Sequence, residues 1–130
     1  MPGAMKSSLL PSLCVSAVLA LAAVSCSRKQ PQADAVQPLQ QSFKAAEPEV
    51  KQAIDAVNVH LQAKEYTAAA RTLAPVVLQQ RLTEPERQAV GVALQQINQA
   101  VAADRSLNTK EMYDLRAKMF HAVQHGGSRF

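Results

Sequence analysis

The chain has 130 residues, with 14 Lys and Arg against 10 Asp and Glu, and a net charge of +4. The excess is small and dispersed, and the rings are few, two Tyr and three Phe with no Trp. A nucleic-acid binder needs a basic stripe interleaved with stacking aromatics, so that class is set aside, and the length allows one small domain beside any targeting segment.

The chain opens on an uncharged run. Met5-Lys6 is a start-like pair with one positive charge; Met1 to Ala4 carries none, so Met5 is an alternative start. From Ser7 to Ser27 there is no Asp, Glu, Lys or Arg. The densest apolar part, Leu13 to Val24 (LCVSAVLALAAV), has the length of a signal-peptide h-region and falls short of the ~20 apolar residues of a membrane span. Small residues, Ala22-Ala23-Val24-Ser25, then lead into Cys26. This segment resembles the lipobox of bacterial lipoproteins, with Ala23 where Leu is commonest. The resemblance implies a signal peptide over residues 1–25, a diacylglycerol and an acyl chain on Cys26, and a mature chain that begins there. Ser27 follows, rather than the Asp that retains such proteins in the inner membrane. The implied address is therefore the cell envelope, on the periplasmic face of an outer membrane where the cell has one. Secretory cleavage near Ser25 and an uncleaved anchor are the competing readings.

The only cysteines are Cys14, in the leader, and Cys26. The folded part thus has neither a disulfide nor a thiolate metal site, and packing alone must hold it. Residues 26–38 (CSRKQPQADAVQP) are polar and Pro-containing, and read as a flexible tether. Arg28 and Lys29 either add about 1 kcal/mol each against anionic headgroups or are simply solvated.

Residues 39–125 read as an all-α domain of about four helices, an antiparallel helical-hairpin bundle. A short helical piece is expected at LQQSFKAA, anchored by Phe43. The first strong helix opens at EPEV, where Pro48 suits a first turn and Glu47 and Glu49 complement the helix dipole. Val50, Ala53, Ile54, Val57 and Leu61 recur at helical spacing, with Lys51, Gln52, Asp55, Asn58 and Gln62 on the other faces. A second helix carries Tyr66, Ala69, Ala70, Leu73 and Val77; Pro75 is expected to kink or shorten it near Thr72 to Ala74. The third has a capping box at Thr83 to Glu86 and a face of Val90, Ala93, Leu94, Ile97 and Val101. Its Gly91 either weakens it by about 1 kcal/mol or permits close packing. Asp104 and Arg105 mark its end. The fourth, capped by Asn108 or Thr109, carries Met112, Leu115, Met119, Ala122 and Val123 and stops at Gly126-Gly127, leaving 126–130 as a flexible tail.

EPEVKQAIDAV from Glu47 echoes EPERQAVGVA from Glu84, with Lys51-Gln52-Ala53-Ile54 matching Arg87-Gln88-Ala89-Val90. That spacing belongs to stacked helical hairpins. The segment AIDAVNVHLQAKEYTAAARTL resembles one tetratricopeptide hairpin: Lys64-Glu65-Tyr66 matches the turn, Ala69 the small residue of the second helix and Leu73 the large one. Val57 stands where a small Gly is usual. A closed bundle and a solenoid fragment both fit this pattern.

Chemistry-bearing constellations are sparse. His121 and His125 are four apart, on one helical face, and could hold a transition metal with a third ligand from His60, Asp114 or elsewhere; alternatively they complement the C-terminal end of a helix dipole. Met112 and Met119 read as core filler. No serine sits in a Gly-x-Ser-x-Gly elbow, no glycine-rich phosphate loop occurs, and Glu47, Glu49, Glu84 and Glu86 are explained by helix starts. Nothing calls for a cofactor. The resulting expectation is a non-enzymatic protein, attached to a membrane through lipid on Cys26. It would present a groove around His60, Lys64 and Tyr66 to another envelope protein, without contact to nucleic acid. The sequence leaves the oligomeric state open. The alternatives are a small-ligand or metal carrier using His121 and His125, and a passive structural component of the envelope.

Overall fold

In the computed structural model, which describes residues 31–126, the chain enters its first helix earlier than its prolines suggest. Helix α1 spans Val36–Ser42. Pro38 lies within its first turn, where a backbone N–H would have no intrahelical partner. Leu39 and Phe43 are both buried, which at about 1.5–3 kcal/mol each outweighs the marginal propensity of so short a helix. This corrects the tether boundary expected at residue 38. The compact unit begins at Gln32, and Ala35 is fully buried.

Helix α2 (Pro48–Gln62) starts at its proline with Glu49 in the first turn, and buries Ile54, Val57 and Leu61. Asn58, expected on an outer face, is 4% exposed, because α1 covers that side of the helix; its side chain reaches the carbonyl of Val36. Helix α3 (Tyr66–Gln79) runs through Pro75 without being shortened. Leu73, Ala74, Val76 and Val77 are buried on both sides of the proline, while Pro75 and Arg71 face solvent. The carbonyl that loses its partner, that of Arg71, therefore has access to water.

Helix α4 (Glu84–Ala103) opens with the full reciprocal cap. The Thr83 side chain accepts from the Glu86 N–H, and the Glu86 side chain accepts from the Thr83 N–H. Its five expected core positions are all buried. A Cβ placed on Gly91 would meet nothing within 4 Å, so Gly91 weakens α4 and serves no close approach. A single 3-10 turn, Arg105–Leu107, leads to α5 (Lys110–Gln124), whose N-cap is Thr109, accepting from the Met112 N–H. Asn108 instead accepts from Arg116.

Among the described residues the structure is all-helical, with five α-helices. They pack in a closed ring: α1 on α2, α2 on α3, α3 on α5, α5 on α4, and α4 back on α1. The antiparallel hairpins α2–α3 and α4–α5 face each other across one core, which takes Leu39, Ile54, Leu73, Ile97, Met112 and Met119 from all five helices. Closure through α1 makes this a bundle, with α1 bridging the two hairpins.

Candidate functional site

Helix starts leave backbone N–H groups without intrahelical partners, and a buried one must find another acceptor. The entry into α1 solves this with two side-chain amides from one distant helix, α4. Gln99 Oε1 accepts the Ala33 N–H at 2.9 Å and Gln96 Oε1 accepts the Ala35 N–H at 2.9 Å. The two glutamines are three residues apart on α4, hence neighbours on one face. Asp34 Oδ1 accepts the Val36 N–H at 3.1 Å, and Asn58 Nδ2 donates to the Val36 carbonyl at 3.4 Å. Asn58 Oδ1 is buried with no hydrogen-bond partner.

Opposite this entry segment lies the α2–α3 turn. The Lys64 N–H donates to the Leu61 carbonyl at 3.1 Å and the Glu65 N–H to the His60 carbonyl at 2.8 Å. That is the two-bond closure of a Schellman motif, which places Lys64 in the left-handed region at φ 60. Glycine is the usual occupant, since a side chain there costs roughly 1–2 kcal/mol. His60 Nδ1 donates to Glu65 Oε2 at 2.8 Å, pinning the turn from outside.

Between the entry segment and the turn is an open cleft of about 820 Å³. Asp34, Val36 and Pro38 line it from the entry side, Leu61, Lys64 and Tyr66 from the hairpin side, with amides of Gln37, Gln62 and Gln96 between. Of the three residues expected to form a groove, Lys64 and Tyr66 line this cleft, while His60 is not among the lining residues and is engaged with Glu65. Asp34 and Gln96 were not expected here; only the folding of the entry segment onto α4 brings them in. Carboxylate, ammonium, phenol, several amides and short apolar stretches suit a peptide-like chain with alternating character, rather than an apolar ligand.

The other constellations separate. The rings of His121 and His125 lie 4.3 Å apart, centroid to centroid. Their suggested third ligands are engaged elsewhere, His60 with Glu65 and Asp114 with Lys110 at 3.0 Å. Among the described residues no group of three His, Cys, Asp or Glu is placed to hold a metal ion. A shallower groove of about 390 Å³ runs along α5, lined by Lys110, Glu111, Asp114, Leu115 and Lys118. At its edge Arg71 of α3 grips Glu111 with two hydrogen bonds, one of 2.7 Å from Nη2 to Oε2. That bonding holds the Glu111 carboxyl below, and the Arg71 guanidinium above, their ordinary pKa ranges. Asp104 is likewise lowered, by the hydroxyl and backbone N–H of Ser106.

Cys26 and the segment around it lie outside the described residues. Among those described, no helix is long and apolar enough to cross a membrane. Comparison with known proteins finds no matching family model, no similar curated protein and no similar solved structure.

Proposed function

We propose that this chain is a lipoprotein of the cell envelope, held on a membrane by acyl chains on Cys26, whose helical domain docks another envelope protein in the cleft between the α1 entry and the α2–α3 turn. It performs no catalysis of its own; its role is to keep that partner near the membrane. The anchor half of this reading rests on the residues before Cys26 and on the absence of charge from Ser7 to Ser27. A thioether-linked diacylglycerol with an added acyl chain supplies the multiple attachments that stable membrane residence needs.

The observation that carries the docking half is the position of the cleft. With Ala33 clasped to Gln99, a mature chain beginning at Cys26 has only the stretch from Cys26 to Ala33 between its acyl chains and the domain. Fully extended, that stretch reaches no more than about 25 Å. Whatever occupies the cleft is then held close to the bilayer. Lys64, kept in a conformation that favours glycine, stands at its rim, and sparsely populated backbone conformations cluster at ligand contacts.

The test has two arms. Mass spectrometry of the native product is expected to find an acylated N-terminal Cys26, and Cys26→Ala is expected to move the protein out of the membrane fraction. A photo-crosslinking side chain at Tyr66 in intact cells is expected to capture one discrete envelope protein, and Lys64→Glu to reduce that yield several-fold. An unmodified Cys26 sinks the anchor. A yield at Tyr66 no higher than at exposed Lys51, on the outer face of α2, sinks the cleft.

A further inference from the structure

The segment that brings the chain into α1, residues 32–35, is not helical, yet distant side chains fix it in place. The Ala33 and Ala35 N–H groups both turn to α4, where Gln99 and Gln96 accept them. Two N–H groups on one side at a spacing of two is the alternation of an extended chain. The N–H between them belongs to Asp34, and it has no partner among the described residues. The Asp34 carboxylate is turned back on its own backbone, accepting from the Val36 N–H. Downstream, Asn58 holds the Val36 carbonyl. The segment is therefore clasped along one edge and bare along the other, and it forms one wall of the cleft of about 820 Å³. A bare, exposed edge of extended backbone is a template for another extended chain. Across the cleft stands Lys64. Its neighbour Glu65 is bonded to His60, and no ion pair among the described residues includes Lys64.

We infer that the cleft takes its partner as an extended peptide, laid along residues 32–34, with a peptide carbonyl accepting from the Asp34 N–H and an acidic side chain set on Lys64. This rests on the reading of the cleft as the docking site and adds the chemistry of what docks. Strand addition draws affinity from backbone bonds and selectivity from alternate side chains. An edge this short offers few backbone bonds, so the charge-assisted bond to Lys64 carries most of the selectivity. The clasp to Gln96, Gln99 and Asn58 holds the edge ready before the peptide arrives, which lowers the ordering cost of binding. A helix is a poorer occupant. Its backbone groups are bonded internally, so the Asp34 N–H would lose water and gain nothing. A basic peptide is a poorer occupant too. Asp34 is the one acidic residue of the lining, and its Oδ1 already serves Val36. The rival within the chain is the stretch ahead of Gln32, which is covalently next to the bare edge, and the test separates it.

The probe is a phage-displayed library of random heptapeptides, selected on the full chain in detergent micelles. Enriched peptides are expected to share one Asp or Glu at a fixed position, with apolar residues at alternate positions. Their affinity is expected to fall at least ten-fold on Lys64→Glu and to be largely kept on Lys64→Arg, with helical circular dichroism unchanged in both, since Lys64 is exposed. Backbone pairing is read separately, by amide hydrogen exchange. Bound peptide is expected to slow the Asp34 amide at least ten-fold and to leave those of Ala33 and Ala35, bonded to glutamine with or without peptide, as they were. Enrichment of basic peptides, enrichment of apolar residues at helical spacing, no enrichment at all, or an Asp34 amide indifferent to bound peptide would each overturn the inference. So would cross-links from Tyr66 that return only the chain's own residues ahead of Gln32. Capture of an envelope protein at Tyr66 together with an indifferent Asp34 amide would leave the docking cleft standing and remove only the extended peptide.

Discussion

The two hairpins of this bundle reverse the chain in different ways. In α4–α5 every helix start is held by a side chain: Thr83 and Glu86 cap α4, Asp104 caps the 3-10 turn and Thr109 caps α5. In α2–α3 neither helix start has a side-chain cap, and the turn closes through two backbone bonds, braced outside by His60 and Glu65, with Lys64 in a left-handed conformation. One hairpin is specified by its own local sequence. The other relies on the packing of its buried face, and it carries its least favourable residue at the rim of the cleft. Side-chain caps are thus concentrated in α4–α5, while one wall of the cleft belongs to α2–α3.

The largest effects test whether the halves are separable. Leu73 and Ile97 are both fully buried, one in each hairpin, within one core. Leu73→Ala and Ile97→Ala are each expected to lower stability by about 2–5 kcal/mol and to move one shared urea transition; two resolved transitions would make the hairpins independent. Next come the caps. Thr83→Ala and Thr109→Ala should each lose about 1 kcal/mol, whereas Glu47→Ala and Glu65→Ala, at uncapped starts, should change thermal stability far less. Backbone effects have the opposite sign. Lys64→Gly relieves the left-handed turn, and Gly91→Ala fills open space in α4; each should stabilise by roughly 0.5–1 kcal/mol, read as a rise in melting temperature.

The smallest effect concerns the bond between the hairpins, Arg71 to Glu111. Folding lowers the carboxyl's pKa, so its contribution is complete above the ordinary glutamate range and disappears as pH falls through the lowered value. Glu111→Gln should therefore melt slightly below the parent at neutral pH. That difference should persist down to about pH 5 and shrink below it.

Much of the scaffold was legible from spacing. The faces of α2, α4 and α5 follow from apolar residues at helical intervals, and Thr83-Glu84-Pro85-Glu86 announces a helix start by its chemistry. Two kinds of feature were not. Pro75 suggests a break, but the buried residues on both sides of it decide the outcome, and that burial is tertiary. The entry clasp joins Ala33 and Ala35 to Gln99 and Gln96, more than sixty residues away. Nothing local distinguishes these glutamines from the solvent-facing ones beside them. Asn58 hides for the same reason, since its polarity suggests an outer face until α1 lies over it. The cleft was half visible: its hairpin wall, Lys64 and Tyr66, comes from a turn signal, while the facing wall exists only once the clasp has formed.

That clasp also decides how the domain bears a load. Tension applied to the amino end of the described domain reaches the bonds of Ala33 and Ala35 to the two glutamine amides before it reaches the hairpin cores. Under a steady pull the earliest structural failure would be the peeling of α1 from α2 and α4, which opens the ring while both hairpins remain zipped. A pull between the proposed anchor and a proposed partner in the cleft would then lengthen the connection by the unwound first helix before it threatened the rest of the fold.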